Sequence, residues 1–198
     1  MKIILIGATG TIGRAVAQEL GQRHDIIAVG KSRGELQVDV TRSDSIRALF
    51  ERVGKVDAIV SATGSLHFGP LAEMTAEQFK IGLHDKLLGQ VDLALIGQHH
   101  LNEGGSITLT SGIVSDEPIR YGANASAVNM AIDGFVRGAA VELRGIRINS
   151  VSPTVLTESL ESYGPYFQGF ESAPASRVAL AYSRSVEGAQ TGRVFRVW

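Results

Sequence analysis

Three glycines near the amino terminus have the spacing of a turn that binds phosphate. Gly7 follows a short apolar run, Ile3 to Ile6, and Gly13 lies within the first turn of a helical pattern. Glycine permits positive φ, a close approach of ligand to backbone amides, and tight helix–strand packing. The helix start supplies free N–H groups and partial positive charge. This context predicts a dinucleotide-binding turn rather than an ordinary tight turn; its residues are Gly7-Ala8-Thr9-Gly10-Thr11-Ile12-Gly13.

The end of the second predicted strand carries the residues that distinguish two dinucleotides. An acidic residue there accepts hydrogen bonds from an unphosphorylated ribose. This chain instead has Lys31, Ser32 and Arg33. Two cations and a hydroxyl suit a 2′-phosphate, so we expect NADP(H) rather than NAD(H). The alternative is a solvated surface loop.

Short apolar runs and helical patterns alternate along the chain. This order is typical of a doubly wound α/β fold, a parallel sheet between two helical layers (αβα) in one Rossmann-type domain spanning 1–198. Thr75 and Gln78 have capping-box spacing. We predict strands at 2–6, 25–29, 36–39, 57–60, 106–110, 146–151 and 193–197, and helices at 11–22, 43–53, 84–101, 122–143 and 175–186, with an irregular segment at 152–174.

Composition excludes several classes of protein. The 198 residues carry 19 Lys+Arg, 20 Asp+Glu and no cysteine, with a net charge of −1. A near-neutral chain disfavours a nucleic-acid partner, and the lack of cysteine excludes disulfides and thiolate metal sites. No apolar stretch approaches the roughly 20 residues of a membrane span. We expect a cytoplasmic protein that binds neither a membrane nor a metal.

Further motifs follow the glycine turn. They are Asp39-Val40, Ser61-Ala62-Thr63-Gly64, the run 105–111 ending in Ser111, and Arg147-Ile148-Asn149-Ser150-Val151-Ser152-Pro153. Together with that turn they resemble the short-chain dehydrogenase/reductase family over essentially the whole chain. The resemblance implies that Asp39 and Val40 contact adenine and that Ala62, Thr63 and Gly64 pass beside the cofactor. It also implies that Pro153 and Val155 contact the cofactor, Val155 at the nicotinamide amide.

The catalytic pattern of the family is only partly present. The family uses Ser, Tyr and Lys, with an Asn on the preceding helix, and Ser111 matches the serine. Aligning Gly134-Phe135 places Ala125 at the tyrosine and Asn129 at the lysine, while Lys86 stands where the Asn is expected. We therefore hypothesise that Asn and Lys have exchanged places, with the Lys86 ammonium beside Asn129. The alternative is an exposed Lys86 and a tolerated Asn129.

The missing phenol leaves the proton donor open. Tyr121, one helical turn before Ala125, is the first candidate, although a packed loop tyrosine fits equally well. Lys86 with a lowered pKa, or a water held by Ser111, are the others.

Three functions remain consistent with these residues. The first is an NADP(H)-dependent oxidoreductase that transfers hydride to or from a small carbonyl compound or activated double bond. The second is a weakly active or inactive NADP(H)-binding sensor, and the third an epimerase or lyase. Aromatic residues in 163–170 correspond to the family's substrate flap. Apolar runs on both long helices, together with the self-association that the resemblance implies, predict a homodimer or homotetramer.

Overall fold

A parallel sheet of seven strands forms the centre of the protein. The computed structural model describes residues 1–198, and the strand order is β3-β2-β1-β4-β5-β6-β7. Every neighbouring pair is parallel. The strands are β1 (Lys2–Ile6), β2 (Asp25–Gly30), β3 (Leu36–Gln37), β4 (Val56–Ser61), β5 (Leu101–Thr110), β6 (Arg147–Pro153) and β7 (Val194–Val197).

Helices cover both faces of this sheet. They are α1 (Thr11–Leu20), α2 (Ser43–Val53), α3 (Ala76–Gly82), α4 (Gly89–Gly97), α5 (Ala123–Glu142), α6 (Leu160–Tyr163) and α7 (Ala175–Glu187). The alternating side chains of β1 separate the two cores. Ile3 and Leu5 pack with α1 and α7, whereas Ile4 and Ile6 pack with α2, α4 and α5. The predicted doubly wound, three-layer α/β fold is confirmed.

The predicted helix 84–101 was wrong in its bounds and its regularity. The helical run begins at Ala76, passes through a π-helical turn at Leu83–Leu88, and continues as α4 to Gly97, followed by a 3₁₀ turn at Gln98–His100. Glycines flank the π turn because both ends pack closely: a Cβ on Gly82 would overlap Asn124, and one on Gly89 would lie 2.9 Å from Val40 Cγ2. π-Helical turns are rare, so an apolar pattern of this length predicts a regular α-helix here.

Smaller differences also have local causes. Gly21 ends α1 two residues before the predicted end, and β5 begins five residues earlier than predicted because Leu101 pairs with Val56 across an irregular register. The segment 152–174 contains α6 and two 3₁₀ turns, and it folds back so that Leu156 pairs with Ala173. No helix combines the length and apolar character that crossing a bilayer requires.

Candidate active site

A cleft opens at the carboxyl ends of the strands, where the strand order reverses between β1 and β4. Ligands of open α/β sheets bind at this switch point. Two cavities of about 300 Å³ and about 470 Å³ meet there. They share Ala62, Thr63, Gly64 and Ser65, the residues that follow β4. The two cavities therefore form one continuous cleft, and they meet at the carboxyl end of β4.

The glycine turn forms the floor of the smaller cavity. Gly7 has φ +83°, and the N–H groups of Gly7 and Ala8 donate to Val29 O at 2.8 and 3.1 Å. A Cβ on Gly7 would overlap the Ala62 carbonyl, and a Cβ on Gly13 would overlap the Gly7 carbonyl. Because neighbouring backbone carbonyls lie so close, neither position has room for a side chain. Gly7, Thr9 and Gly10 line the cavity directly.

The first turn of α1 presents unused donors to this floor. Gly10 caps the helix without a side-chain hydrogen bond, and the first turn carries no acidic residue. Arg14 adds a cation, with Nη1 donating to Thr9 O at 2.9 Å. Free N–H groups, the helix dipole and this cation make an anion-binding end. Sequence reasoning missed Arg14, although a cation in the first helical turn is a readable signal.

The far end of the smaller cavity is lined by Lys31, Asp39 and Val40. The Asp39 carboxylate accepts from Thr41 Oγ1 at 2.7 Å and Thr41 N at 3.0 Å. These bonds, more than the nearby cations, hold the pKa of Asp39 below its usual value. Ser32 and Arg33 are exposed on the turn after β2 and do not line the cavity.

Lys86, Ser111 and Asn129 come together in the larger cavity. Lys86 is only 7% exposed, and its Nζ donates to Ser111 O at 3.0 Å. Its side chain crosses Gly64, where a Cβ would collide with it. No hydrogen bond joins Lys86 to Asn129. The alternative of a solvent-exposed Lys86 does not hold. The Lys86 ammonium donates to the backbone carbonyl of Ser111, directly after β5, and not to Asn129.

Burial sets the proton affinity of this lysine. Removal from water disfavours the charged form and lowers the pKa of Lys86 to about 8, while the carboxylate of Asp133 opposes that shift. Asp133 is itself buried and accepts from Ser150 Oγ at 2.6 Å and Ser115 Oγ at 3.3 Å. A lysine with this pKa is protonated at neutral pH and able to release a proton.

A buried glutamine joins the two elements that carry this group. Gln90 Nε2 donates to Thr110 O at 2.9 Å and Lys86 O at 3.1 Å, and its Oε1 accepts from Thr110 N at 2.8 Å. Gln90 thereby holds the π turn of Lys86 against the strand residue before Ser111. Sequence reasoning missed it; the readable signal is a polar side chain four residues after Lys86 on an apolar helix.

Two buried polar atoms in the larger cavity have no partner within the protein. They are Ser111 Oγ and Asn129 Oδ1. Buried polar groups are almost always hydrogen-bonded, because leaving one unpaired costs about 1–3 kcal/mol. A ligand with hydroxyl, amide or carbonyl groups satisfies both atoms. The nicotinamide end of a dinucleotide and a carbonyl substrate have these groups, so the residues present fit the cofactor.

The remaining predicted residues separate into two groups. Ile12, Pro153 and Val155 line the larger cavity, whereas Thr11 and Gly13 lie behind the turn and line neither cavity. Tyr121 also lies outside: its ring packs 6.4 Å from Tyr166 and beneath Arg120, in a separate depression. The structure does not bring Tyr121 to Ser111, because residue 121 has φ 66° in the loop before α5.

Few titratable side chains line the larger cavity. Ala125 is fully buried against Ile113 and Val114. Among the residues of the larger cavity, Lys86 and the half-exposed Tyr163 are the titratable ones. Lys86 is therefore the one charged side chain of the larger cavity.

The fold and this cleft define a Rossmann-type protein with a dinucleotide-binding turn and a polar inner site. A sequence model of the family described as enoyl-(acyl carrier protein) reductase matches residues 13–191. The chain belongs to the short-chain dehydrogenase/reductase family of oxidoreductases, as the sequence motifs predicted.

Curated relatives are reductases of the same family. A versicolorin reductase from Emericella nidulans is 31% identical over 179 residues, 77% of this chain and 68% of that protein. A hydroxynaphthalene reductase from Aspergillus fumigatus is 29% identical over 134 residues, 65% of this chain. The match spans about half, 49%, of the length of that relative.

Solved structures reproduce the whole architecture. The protein lin1944 from Listeria innocua is 50% identical, with a TM-score of 0.98 and complete coverage of both chains. A small-chain dehydrogenase in complex with NADPH is 26% identical, with a TM-score of 0.87, covering 100% of this chain and 96% of that one.

Proposed function

We propose that the protein is an NADP(H)-dependent reductase of a small carbonyl compound or activated double bond, with Lys86 as its proton donor. The observation that carries this proposal is the buried Lys86 ammonium bonded at 3.0 Å to the backbone of Ser111, inside the cleft. Ala125 occupies the position that aligns with the family's tyrosine, and the one phenol that lines the cavity, Tyr163, is 43% exposed on α6.

NADPH, when bound, supplies the hydride that reduces the substrate carbon. The chain's own residues act on the oxygen. The Ser111 hydroxyl, unpartnered in the cleft, donates a hydrogen bond to it and so stabilises the negative charge that develops. The Lys86 ammonium transfers one proton to that oxygen and becomes a neutral amine, which recovers a proton from solvent. Asn129 Oδ1 accepts a hydrogen bond from the cofactor's ribose or amide.

Other residues of the cleft hold the dinucleotide. The glycine turn and the first turn of α1 receive the pyrophosphate, with Arg14 beside them. Val40, which lines the smaller cavity, would contact the adenine, and Val155, which lines the larger one, would contact the nicotinamide amide.

A preference for NADPH over NADH rests on charge. Lys31 lines the cavity, and Ser32 and Arg33 stand free on the adjoining turn. Of the two carboxylates that line this cavity, Asp39 accepts two bonds from Thr41, and Asp85 accepts one from Ser65 N at 2.7 Å. The relative bound to NADPH supports the same choice. Replacing Lys31 and Arg33 by alanine is expected to weaken NADPH binding by about tenfold or more and NADH binding little; calorimetry with both cofactors measures this.

The test of the reaction is NADPH oxidation with quinones, aldehydes, ketones and enones. We expect turnover with at least one class, and a fall in kcat/KM without a change in NADPH affinity when Lys86 becomes methionine. Full activity of the Lys86→Met variant would show that Lys86 is not the proton donor. Absence of NADPH binding to the wild type would remove the whole proposal.

A second candidate function is an NADP(H) sensor without catalysis. The observation that favours it is the fully buried Ala125 in place of the family's tyrosine. Tight NADPH binding with no turnover on any substrate class would select this function over the first. A binding site alone does not settle activity.

The proposal includes self-association through α4 and α5. Leu95 and Met130 on these helices are 51% and 48% exposed, and Leu95 borders an apolar groove between them. A second copy buries that surface, giving a homodimer or homotetramer, which equilibrium ultracentrifugation tests. A monomer at micromolar concentration would contradict it. A cytoplasmic location stays a prediction.

A further inference from the structure

Lys86 has the surroundings of a nucleophilic amine as well as those of a proton donor. Its side chain lines the larger cavity, is only 7% exposed, and takes part in none of the six ion pairs of the protein. Its Nζ donates one hydrogen bond, to a neutral acceptor, the Ser111 carbonyl. A buried lysine without a carboxylate partner is readily deprotonated, and its neutral amine attacks carbonyl carbon.

Two carboxylates lie on the elements around this amine, and both have other partners. Asp133 on α5 favours the ammonium, but it accepts a hydrogen bond from Ser150 Oγ at 2.6 Å. Asp85 on the π turn accepts from Ser65 N at 2.7 Å. Burial outweighs the Asp133 charge and lowers the pKa of Lys86 to about 8. At pH 7 about a tenth of such an amine is neutral, compared with about one in 2,500 for a hydrated lysine.

The larger cavity also provides what a carbonyl compound needs in order to meet this amine. Ser111 Oγ is buried and has no partner within the protein, so it is free to donate to a carbonyl oxygen. Leu66, Phe68 and Val114 contribute apolar surface to a volume of about 470 Å³, which admits a small apolar molecule. An aldehyde carbon carries one carbon substituent and is therefore more open to attack than a ketone carbon.

We propose that Lys86 is a covalent site for small apolar aldehydes, which it binds as an imine, with Ser111 Oγ donating to the aldehyde oxygen. The amine nitrogen forms a bond to the carbonyl carbon, and one N–H proton moves to the oxygen to give a carbinolamine. The carbon–oxygen bond then breaks, and the hydroxyl group leaves with the second N–H proton as water. These steps need no oxidant or reductant. The inference rests on the proposed reductase site, but imine formation requires neither NADPH nor turnover.

Bound cofactor would make the modification permanent. The imine carbon would accept hydride from NADPH while the imine nitrogen takes a proton from solvent. The imine is thereby reduced to a secondary amine, and NADPH is oxidised to NADP⁺. We therefore expect small aldehydes to inactivate the protein progressively when NADPH is present, whereas ketones are turned over without alkylating Lys86.

Reductive trapping followed by peptide mapping tests the site. The protein without cofactor is mixed at neutral pH with butanal and sodium cyanoborohydride, which reduces an imine to a stable amine. We expect Lys86 to be butylated at least about tenfold faster than each of the exposed lysines. The exposed lysines are Lys2, Lys31, Lys55 and Lys80. Labelling of Lys86 no faster than that of these four would overturn the proposal.

Three variants connect the labelling to the two residues. Lys86→Met should lose the fast phase of butylation, and Lys55→Met, the matched exposed control, should keep it. A fast phase that persists in Lys86→Met would overturn the assignment to Lys86. Ser111→Ala should slow butylation of Lys86 by about tenfold or more, because the donor to the aldehyde oxygen is lost. An unchanged rate in Ser111→Ala would overturn the role of the hydroxyl.

Deuterium labelling separates this inference from the reductase proposal. With NADPH that carries deuterium as the transferred hydrogen in place of cyanoborohydride, Lys86 should gain a butyl group that contains one deuterium. If cyanoborohydride labels Lys86 but NADPH reduces no carbonyl compound, the reductase proposal fails and the imine site stands. If NADPH reduces carbonyl compounds but neither reductant labels Lys86, the imine site fails alone.

Discussion

Replacing Lys86 by methionine tests its burial and its chemistry together. The ammonium is 7% exposed, and its pKa of about 8 lies well below the value of about 10.4 in an unfolded chain. At pH 7 this difference makes the charged lysine cost about 3 kcal/mol in the folded state. Losing the Nζ bond to the Ser111 carbonyl costs about 1 kcal/mol. We therefore expect Lys86→Met to be more stable by about 2 kcal/mol at neutral pH.

The sign of the pH dependence follows from proton counting. Between pH 8 and 10.5 the unfolded state binds more protons at this lysine than the folded state, so wild-type stability rises with pH across that window. Methionine does not titrate, so the variant lacks this pH dependence of stability. The stability advantage of the variant should therefore shrink above pH 8 and reach zero before about pH 10.5. Above that pH the variant should be less stable by about 1 kcal/mol, because only the lost hydrogen bond remains.

Activity should change in the opposite direction from stability. The rate of reduction in the wild type should be level below pH 8 and fall as the ammonium deprotonates above it. The variant should lose about 10²–10⁴ in kcat and show no such fall. Urea unfolding from about pH 6 to 10, with NADPH oxidation over the same range, gives both readings.

A matched lysine provides the control. Lys55 Nζ also donates to a backbone carbonyl, His99 O at 2.9 Å, but it is exposed and lies at the opposite end of the sheet. Lys55→Met should leave activity and its pH profile unchanged. The reasoning would be refuted if Lys86→Met were destabilised at neutral pH as much as at about pH 10, or if wild-type activity stayed level over that range.

The other predictions concern the glycine turn, the glutamine and the two hydroxyls. Gly13→Ala should cost about 1–3 kcal/mol or more in urea unfolding and weaken NADPH binding, since its Cβ would overlap the Gly7 carbonyl. Gly134→Ala, with open space around it, should instead stabilise α5 by about 0.5–1 kcal/mol. Gln90→Leu should cost about 2–4 kcal/mol and lower kcat, because three buried bonds are lost. Ser111→Ala should reduce kcat about 100-fold. Tyr121→Phe should change kcat by no more than about twofold, and a larger loss would show that Tyr121 takes part in the reaction.

Much of the fold could be predicted because its signals are local. The largely apolar β1 and β4, the glycine turn between β1 and α1, and the alternation of strands with helices are each readable within a few residues. The π turn at Leu83–Leu88 could not be predicted, because tertiary anchors hold it: Lys86 to Ser111, and Asp85 to Ser65 N at 2.7 Å. Its consequence is that Lys86 points into the cleft.

The candidate site divides in the same way. Gly7 and Gly13 were predictable, since backbone contact demands glycine and the sequence displays it. The proton donor was left open, with Tyr121 and Lys86 both as candidates. Tyr121 is near Ala125 along the chain, yet its loop conformation turns the ring toward Tyr166.

The sequence by itself determined the class of fold and the position of the glycine turn between β1 and α1. These features depend on residue type and short-range spacing. Only the tertiary structure decided that Lys86 is buried, that Gln90 holds its turn against β5, and that Ser111 Oγ and Asn129 Oδ1 are buried without a hydrogen-bond partner. Burial and hydrogen bonding join residues from separate elements, and a pKa is a property of that assembled environment, not of a residue's place in the chain.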